Sequence, residues 1–410
     1  MARFWMAVPI VLAFAAPGRA QPPVTHLTLD EAIAMATRDN PTLRAKALEL
    51  RAVQANEITA GLRPNPTASY SADQLGGTTA EPQHTVAIGQ LIETGGKRQR
   101  RIDSARAASR VTGFELADVR RQIVYQVRKA FTDIQIGQAS LALAEQNLRS
   151  LDDVERIQRF RAERGDISEL ELLRIQVQRF AFERDAADAR QAVATGRVAL
   201  RGALGPARVA ENVEIAGELA FRRVGPTRAE LEQAAAVNRP DVRAAEAARG
   251  RARANLDLAR ANASWDFSPQ IQYQRIGNDN TIGVGIAVPL RVFDRNQGEI
   301  ARSRAEMDRA DAARDAVVVQ ALTEVDAVLA TLAAQADKLR MLREVYLPKA
   351  RQVRDTVEFA YRRGGVSLLD FLDAQRTYRE TALEQLRALG TYVTAVDQLE
   401  AAVGGSVTEK

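Results

Sequence analysis

Between Thr281 and Leu290 the chain alternates without a break. Ile282, Val284, Ile286 and Val288 fall on one face, and Gly283, Gly285, Ala287 and Pro289 on the other. Large apolar residues at period two, set against small ones, predict a strand that meets something greasy on one side only. The stretch Pro269–Gly277 puts Gln270, Gln272 and Gln274 on one face and Ile271, Tyr273 and Arg275 on the other. Between these two strands, Gly277-Asn-Asp-Asn280 has the composition of a tight turn. An earlier hairpin is predicted from Pro66–Gln74 and Thr85–Ile92, joined by the longer loop Leu75–His84.

Elsewhere the period is helical. Thr28-Leu-Asp-Glu31 reads as a capping box, with Thr28 as N-cap and Glu31 at N3. The helix it opens is predicted to reach about Leu62, before Pro64 and Pro66. Further helices are predicted over about Lys97–Arg164 and Ser168–Leu204, then over about 228–263, 299–363 and 367–403, with a kink at Pro348.

These elements come twice. Residues 28–205 are echoed by 227–404, and Asn40-Pro41-Thr-Leu-Arg44 returns as Arg239-Pro240-Asp-Val-Arg243. The segment from Phe160 to Gln176 returns from Phe359 to Gln375, each copy carrying Gly-x-x-Ser, at the same spacing. Such duplication predicts pseudo-symmetry. It divides the chain into 1–20, a first repeat 21–226 and a second repeat 227–410. The long helix of the first half, at 1.5 Å per residue, spans roughly 100 Å. The two shorter helices of that half, stacked end to end, match it. Alanine-rich apolar stripes with arginine and glutamate outside suit helices packed side by side in a cylinder. A coiled-coil scaffold satisfies the helices equally well; the strands do not fit it.

Composition narrows the chemistry. With no cysteine and two histidines, His26 and His84, thiol nucleophiles, disulfides and clustered metal ligands are not expected, and both histidines read as structural or solvated. Met1-Ala-Arg3, an apolar run from Phe4 to Ala16 and Pro17-Gly-Arg-Ala20 have the layout of an export signal. Removing it takes away Arg3 and Arg19, so the net charge of +5 falls to +3. No cysteine follows the run to carry a lipid. Beyond it no apolar stretch of bilayer-spanning length is read, so entry into a membrane falls to the strands. Trp265 and Phe267, just before the third strand, sit where an interfacial aromatic girdle is expected. Gly95-Gly96-Lys97 sits between strand and helix but lacks the first glycine and the final serine or threonine of a phosphate loop, so nucleotide binding is not expected. The cluster Lys97-Arg98-Gln-Arg100-Arg101 reads either as a contact for acidic headgroups or as a solvated charged turn.

Four strands cannot close a barrel, and open strand edges cannot face lipid. Closure must be shared between chains; two copies give a barrel filled by side chains and three give one with a lumen. The strand loops then face outward, and the turns at Gly165–Asp166 and Gly364–Gly365 lie at the far end.

Thr28-Leu-Asp-Glu-Ala32 with Asn40-Pro41, the hairpins and the paired Gly-x-x-Ser turns resemble the TolC family of outer-membrane efflux proteins, over essentially the whole mature length. Gln90-Leu-Ile-Glu-Thr-Gly-Gly-Lys-Arg98 and Phe293-Asp-Arg-Asn-Gln-Gly-Glu-Ile300 resemble its CzcC-like cobalt–zinc–cadmium branch. The resemblance implies a mainly α fold with a small β part: a homotrimer whose twelve-stranded outer-membrane barrel continues as a periplasmic α-helical barrel. It implies a periplasmic adaptor protein and an inner-membrane resistance–nodulation–division pump as partners, contact with outer-membrane lipid, no nucleic acid and no cofactor or catalytic group. On that resemblance Arg164, Gly165, Asp166 and Ser168, with Arg363, Gly364, Gly365 and Ser367, form the adaptor-contacting tip, the serines also reading as helix N-caps. Asp370 and Asp373, three apart on one helix face, would form rings of like charge at a periplasmic gate. Tyr361 and Arg362 would latch that gate, with Glu171 and Arg174 as first-half counterparts. The bland alternative is exposed acids near a helix N-terminus. Other readings are the same duct for organic drugs or type I protein secretion, or a pore-less periplasmic scaffold.

Overall fold

The computed structural model describes residues 24–76, 81–205 and 209–408. The expected export signal at 1–20 lies outside the described residues, as does part of the first hairpin loop. In chain order the elements are β1 (Val24–Leu27), α1 (Leu29–Asp39), α2 (Pro41–Gly61), β2 (Thr67–Asp73), β3 (Gln83–Gly89), α3 (Lys97–Glu163) and α4 (Glu169–Leu204). There follow β4 (Val209–Ile215), α5 (Arg228–Asn238), α6 (Pro240–Asn262), β5 (Ser268–Ile276) and β6 (Asp279–Ala287). The chain ends with α7 (Gln297–Met341), a π-helical turn (Leu342–Tyr346), α8 (Leu347–Arg362) and α9 (Leu368–Val403).

A capping box opens the first helix of each repeat: Thr28 and Thr227 each accept from the third helical N–H, and Glu31 and Glu230 reach back to the cap. The first helix of each repeat, expected to be single, is two. Asn40 precedes proline, which disfavours helical backbone there, and it takes an extended conformation at φ −63°, ψ 125°. Its N–H closes α1 on Ala36 while its Oδ1 accepts from the N–H groups of Thr42 and Leu43 at 2.9 and 3.1 Å. Its Nδ2 donates to the Ala203 carbonyl, 2.8 Å away at the end of α4. The second repeat keeps this junction with different chemistry. Arg239, 2% exposed, donates to the equivalent carbonyl of Ala402 and is neutralised by Asp241 and Glu324.

α3 is one uninterrupted 67-residue helix, about 100 Å long. It lies against α2 and α6 toward the sheet and against α4 and α9 toward the other end, while α9 also packs on α7 and α8. Two shorter helices therefore do run along one long one. In the second repeat the long helix is broken. Pro348 has no N–H and clashes one turn back, and the widened turn Leu342–Tyr346 absorbs the mismatch. Contrary to the expectation of no bilayer-length apolar helix, the run Gln297–Arg362 holds an 18-residue window of mean hydropathy 1.6, only 22% buried. β1 and β4, which the sequence reading missed, pair in parallel beside α1 and α4.

The four remaining strands form one antiparallel sheet, ordered β2-β3-β5-β6. Tyr70, Val86, Tyr273 and Ile282 stand in one row, and Ala68, Ile88, Ile271 and Val284 in the next. The other face carries Ser69, Ala87, Gln272 and Gly283, flanked by Thr67, Gly89, Gln270 and Gly285. Gln270 and Gln272 lie across Gly285 and Gly283, where a Cβ would come within 3.0 Å of them.

The cluster at the start of α3 holds this sheet to the helices. Lys97 is buried, donating to the Ser264 carbonyl at 2.9 Å and pairing with Asp266 at 2.5 Å. Arg98 donates to the Gly61 carbonyl, and Arg101 bridges Glu93 and the Leu62 carbonyl. Three of these cations are thus committed inside the chain instead of to headgroups. Asn40→Ala removes two cap bonds and strands a buried carbonyl, and should lower stability by about 1–2 kcal/mol. The check is a lower urea midpoint than the parent chain at unchanged slope.

Candidate functional site

Two features have the geometry of a working surface: the two-faced sheet and the pair of helical turns at the opposite end. Ile282, Val284 and Ile286 are 76%, 84% and 65% exposed, and their row neighbours Tyr70, Ile88 and Ile271 are also exposed. A contiguous apolar face of this kind marks contact with a membrane or partner. The opposite face shows hydroxyls, amides and glycines. Tyr70 donates to or accepts from His84 at 2.9 Å on the apolar side, and His26 pairs with Glu214 at 3.3 Å on the β1–β4 ribbon, so each histidine has a local partner.

The turns follow the same rule in both repeats. Gly165 (φ 76°) and Gly364 (φ 77°) occupy the left-handed position after α3 and α8. The Gly165 and Asp166 N–H groups bond the Ala162 and Arg161 carbonyls, and those of Gly364 and Gly365 bond Tyr361 and Ala360. This is the Schellman arrangement, which needs a residue without a Cβ penalty at positive φ. Ser168 caps α4 through the Glu171 N–H, and Ser367 caps α9 through the Asp370 N–H. Arg164 lies over the ring of Phe160 at 4.1 Å, and Arg363 over that of Phe359 at 3.7 Å. Those rings, with Leu170 and Leu369, stand exposed beside the turns in matching positions. The sequence reading gave these four no role. The repeat itself was the available signal, since Phe160 and Phe359, like Leu170 and Leu369, share its offset.

The structure separates the expected gate residues into distinct settings. Asp370 closes a full capping box: its Oδ2 accepts from the Ser367 N–H at 3.1 Å and hydroxyl at 2.6 Å. Those bonds hold its carboxyl below the ordinary carboxylate range. Asp373 is exposed on the same helix and pairs with Arg376 at 2.5 Å. Arg362 pairs with Glu358 along its own helix at 2.6 Å, not across the turn. Tyr361 is 6% exposed, stacks on Phe371 at 4.9 Å, and belongs to a core with Leu151, Val154, Ile175 and Phe182. Its hydroxyl meets no hydrogen-bonding partner among the described residues. Burial, reinforced by the Glu171 carboxylate, pushes the phenol up to about 12. Within one chain the Tyr361 ring packs in this core. Glu171 is half-buried near it and Arg174 is exposed. Among the described residues no group of three potential metal ligands assembles.

The family described as Outer membrane efflux protein matches residues 32–206 and 231–405. The chain is 28% identical over 381 residues to the cobalt-zinc-cadmium resistance protein CzcC of Cupriavidus metallidurans, spanning 91% of this chain and 90% of that protein. It is 25% identical over 308 residues to the nickel-cobalt-cadmium resistance protein NccC of Alcaligenes xylosoxydans xylosoxydans, spanning 74% and 68%. Among solved structures, the outer-membrane channel OprN superposes with a TM-score of 0.79 at 19% identity, over 92% of this chain and 90% of that one. CusC does so with 0.78 at 20% identity, over 92% of each. The Campylobacter jejuni CmeC outer membrane channel gives 0.79 at 12% identity, over 93% and 86%. The fold is shared with all three.

Two outcomes are expected at the turns. Tyr361→Phe removes a buried hydroxyl without a partner and should raise stability by about 1 kcal/mol; a lower urea midpoint would show that the hydroxyl is bonded after all. The Asp370 cap has a lowered folded pKa, so its contribution is complete above about pH 4 and is lost as the pH falls through the lowered value. Amide exchange in the first turn of α9, corrected for intrinsic rate, should accelerate on that descent in the parent chain and not in Asp370→Asn.

Proposed function

Since the chain belongs to the outer membrane efflux protein family, we propose that it is the outer-membrane exit duct of a three-part efflux system and that its cargo is divalent heavy-metal cations. The observation that carries the duct is the sheet, greasy on one face, polar on the other and, among the described residues, unpaired at both edges. A membrane excludes unpaired backbone groups, so such a sheet is complete only as part of a closed barrel. Three copies supply twelve strands and leave a lumen lined by the glutamine and serine face. The reading takes 1–20 as the export signal and 21–226 and 227–410 as the two repeats. The apolar, mostly unburied flank of α7 then meets the neighbouring copy.

The cargo rests on the metal-resistance relatives, whose names share cobalt and cadmium. Those two ions head the list to test. Delivery belongs to a periplasmic adaptor and an inner-membrane pump of the resistance–nodulation–division class. The chain itself serves as a passive conduit. For the adaptor we propose the tip: Arg164, Gly165, Asp166 and Ser168 together with Arg363, Gly364, Gly365 and Ser367, flanked by the exposed phenylalanines and leucines. Asp370 and Asp373, with Glu171 and Arg174 nearby, are proposed to narrow the periplasmic mouth. Rings of carboxylates there favour cations over anions.

Deleting the gene should lower the concentrations of cobalt and cadmium salts that stop growth, with the gene in trans restoring them. Sensitivity to dyes and antibiotics at normal metal tolerance would keep the duct and replace the cargo. In planar bilayers, Asp370→Ala with Asp373→Ala should raise basal conductance or weaken cation selectivity. Single-channel traces identical to the parent would remove both residues from the gate.

A further inference from the structure

We propose that β6 does not stop at Ala287 in the assembled protein. It continues through Leu290 and pairs with β2 of a second copy in a register slid six residues toward the helical end, with Val288 opposite Tyr70. The inference rests on the proposed reading of three copies closing one barrel.

The backbone shows which groups are left to pair. The Gln90 N–H donates to the Pro269 carbonyl at 3.1 Å, and Ile92 exchanges bonds with Phe267 at 2.9 and 3.3 Å. Even-numbered residues of β3 thus face β5. Successive residues of an antiparallel strand turn their backbone groups alternately to the two sides. Carried across the observed ladders, this leaves the even-numbered groups of β6 and of β2 pointing out of the two open edges. On β6 the outward row is Ile282, Val284, Ile286, Val288 and Leu290. Pro289 lacks its donor on the side turned toward β5, so the row is unbroken. Val292 already donates to the Leu290 carbonyl at 3.0 Å, which marks its end. On β2 the row is Ala68, Tyr70 and Ala72, stopped by Pro66. The same even-numbered positions form the apolar face of both strands, so pairing them keeps that face continuous.

The first repeat already does this within one chain. Its β3–β5 ladder runs on past Gly89 to Ile92, bridged to Phe267. The stretch after β6 keeps the alternation of β6 through Leu290 but has no strand partner among the described residues. Val288 and Leu290 stand exposed there.

Three constraints choose the register. Without a slide, the row Tyr70–Val86–Tyr273–Ile282 would meet itself around the ring, the strands would stand upright, and Asp279 would face Asp73 of the second copy. Like charges directly opposite are unfavourable, and closed barrels tilt their strands by about 35–45°. For twelve strands, a slide of four residues per copy gives a tilt of about 35° and one of six about 45°. Pro66 decides between them. At four, Leu290 faces a residue with no donor; at six, Ile286, Val288 and Leu290 face Ala72, Tyr70 and Ala68. A slide in the opposite sense would run β6 into Pro66 and Pro64 and leave Val288 and Leu290 unpaired.

The chain has no cysteine, so introduced pairs report directly. At the proposed register Ser71 and Ala287 form a non-hydrogen-bonded pair facing the lumen, about 4.5 Å between Cα atoms and within disulfide reach. Ser71→Cys combined with Ala287→Cys, oxidised in native outer membranes, should shift most of the chain to reducible dimers and trimers on denaturing gels. Ser71→Cys with Gly285→Cys reports a slide of four, and Ser71→Cys with Thr281→Cys reports none. Predominant crosslinking by either of those pairs overturns the register, and so does no crosslinking by any pair in a protein that is oligomeric on native gels. A Ser71→Cys single variant and parent chain that both run as monomers on native gels would instead overturn the three-copy reading.

Discussion

A backbone N–H or C=O without a partner is tolerated in water and excluded from hydrocarbon. That constraint governs how the rest of this structure is understood. The four-stranded sheet has an apolar face, and among the described residues each of its edges carries a row of free backbone groups. A single chain cannot satisfy them, and bending four strands into a closed ring is geometrically impossible. The helices inherit the consequence. Once the strands are staves of a shared wall, the helices joined to them are held side by side around the same axis.

The duplication shows how one plan tolerates different chemistry at the same station. Asn40 and Arg239 occupy equivalent junctions and bond equivalent carbonyls, at Ala203 and Ala402. Asparagine does so as a neutral cap. Arginine needs Asp241 and Glu324 to neutralise a buried charge, because an unpaired guanidinium there would be strongly unfavourable. The long helices diverge in a similar way: α3 is continuous, whereas its counterpart is broken by a π turn ahead of Pro348. The repeats are most alike at the turns, where glycine at positive φ, the serine caps and the Arg–Phe stacks all recur.

Acidic residues near those turns illustrate how helix capping sets where a charge stands. Asp370 is drawn to the first turn of α9 by the Ser367 cap, and the same position exposes its charge at the end of the bundle. Local helix chemistry alone is enough to place it there. Tyr361 is different. Its aromatic ring is buried by residues from α3, α4 and α9, and its setting is a property of the packed bundle.

Much of the fold was legible in the chain because its signals are local. Period-two alternation, helical stripes, capping boxes, prolines and the glycine after each long helix all act through hydrogen bonds or sterics within about four residues. The repeat offset then related one half to the other. The sequence also carried the Asn40–Pro41 break, but a stripe of helical period running through it hid the change of backbone direction. What tertiary structure alone decided was burial and partnership. Lys97 read as an exposed charge until Asp266 and the Ser264 carbonyl, over 160 residues away, closed around it. β1 and β4 have too few residues to show a period, and their pairing joins the two ends of one repeat. Tyr361 became core because three other helices arrive beside it. Contacts between distant segments depend on how whole elements pack, and no short window of sequence holds that information.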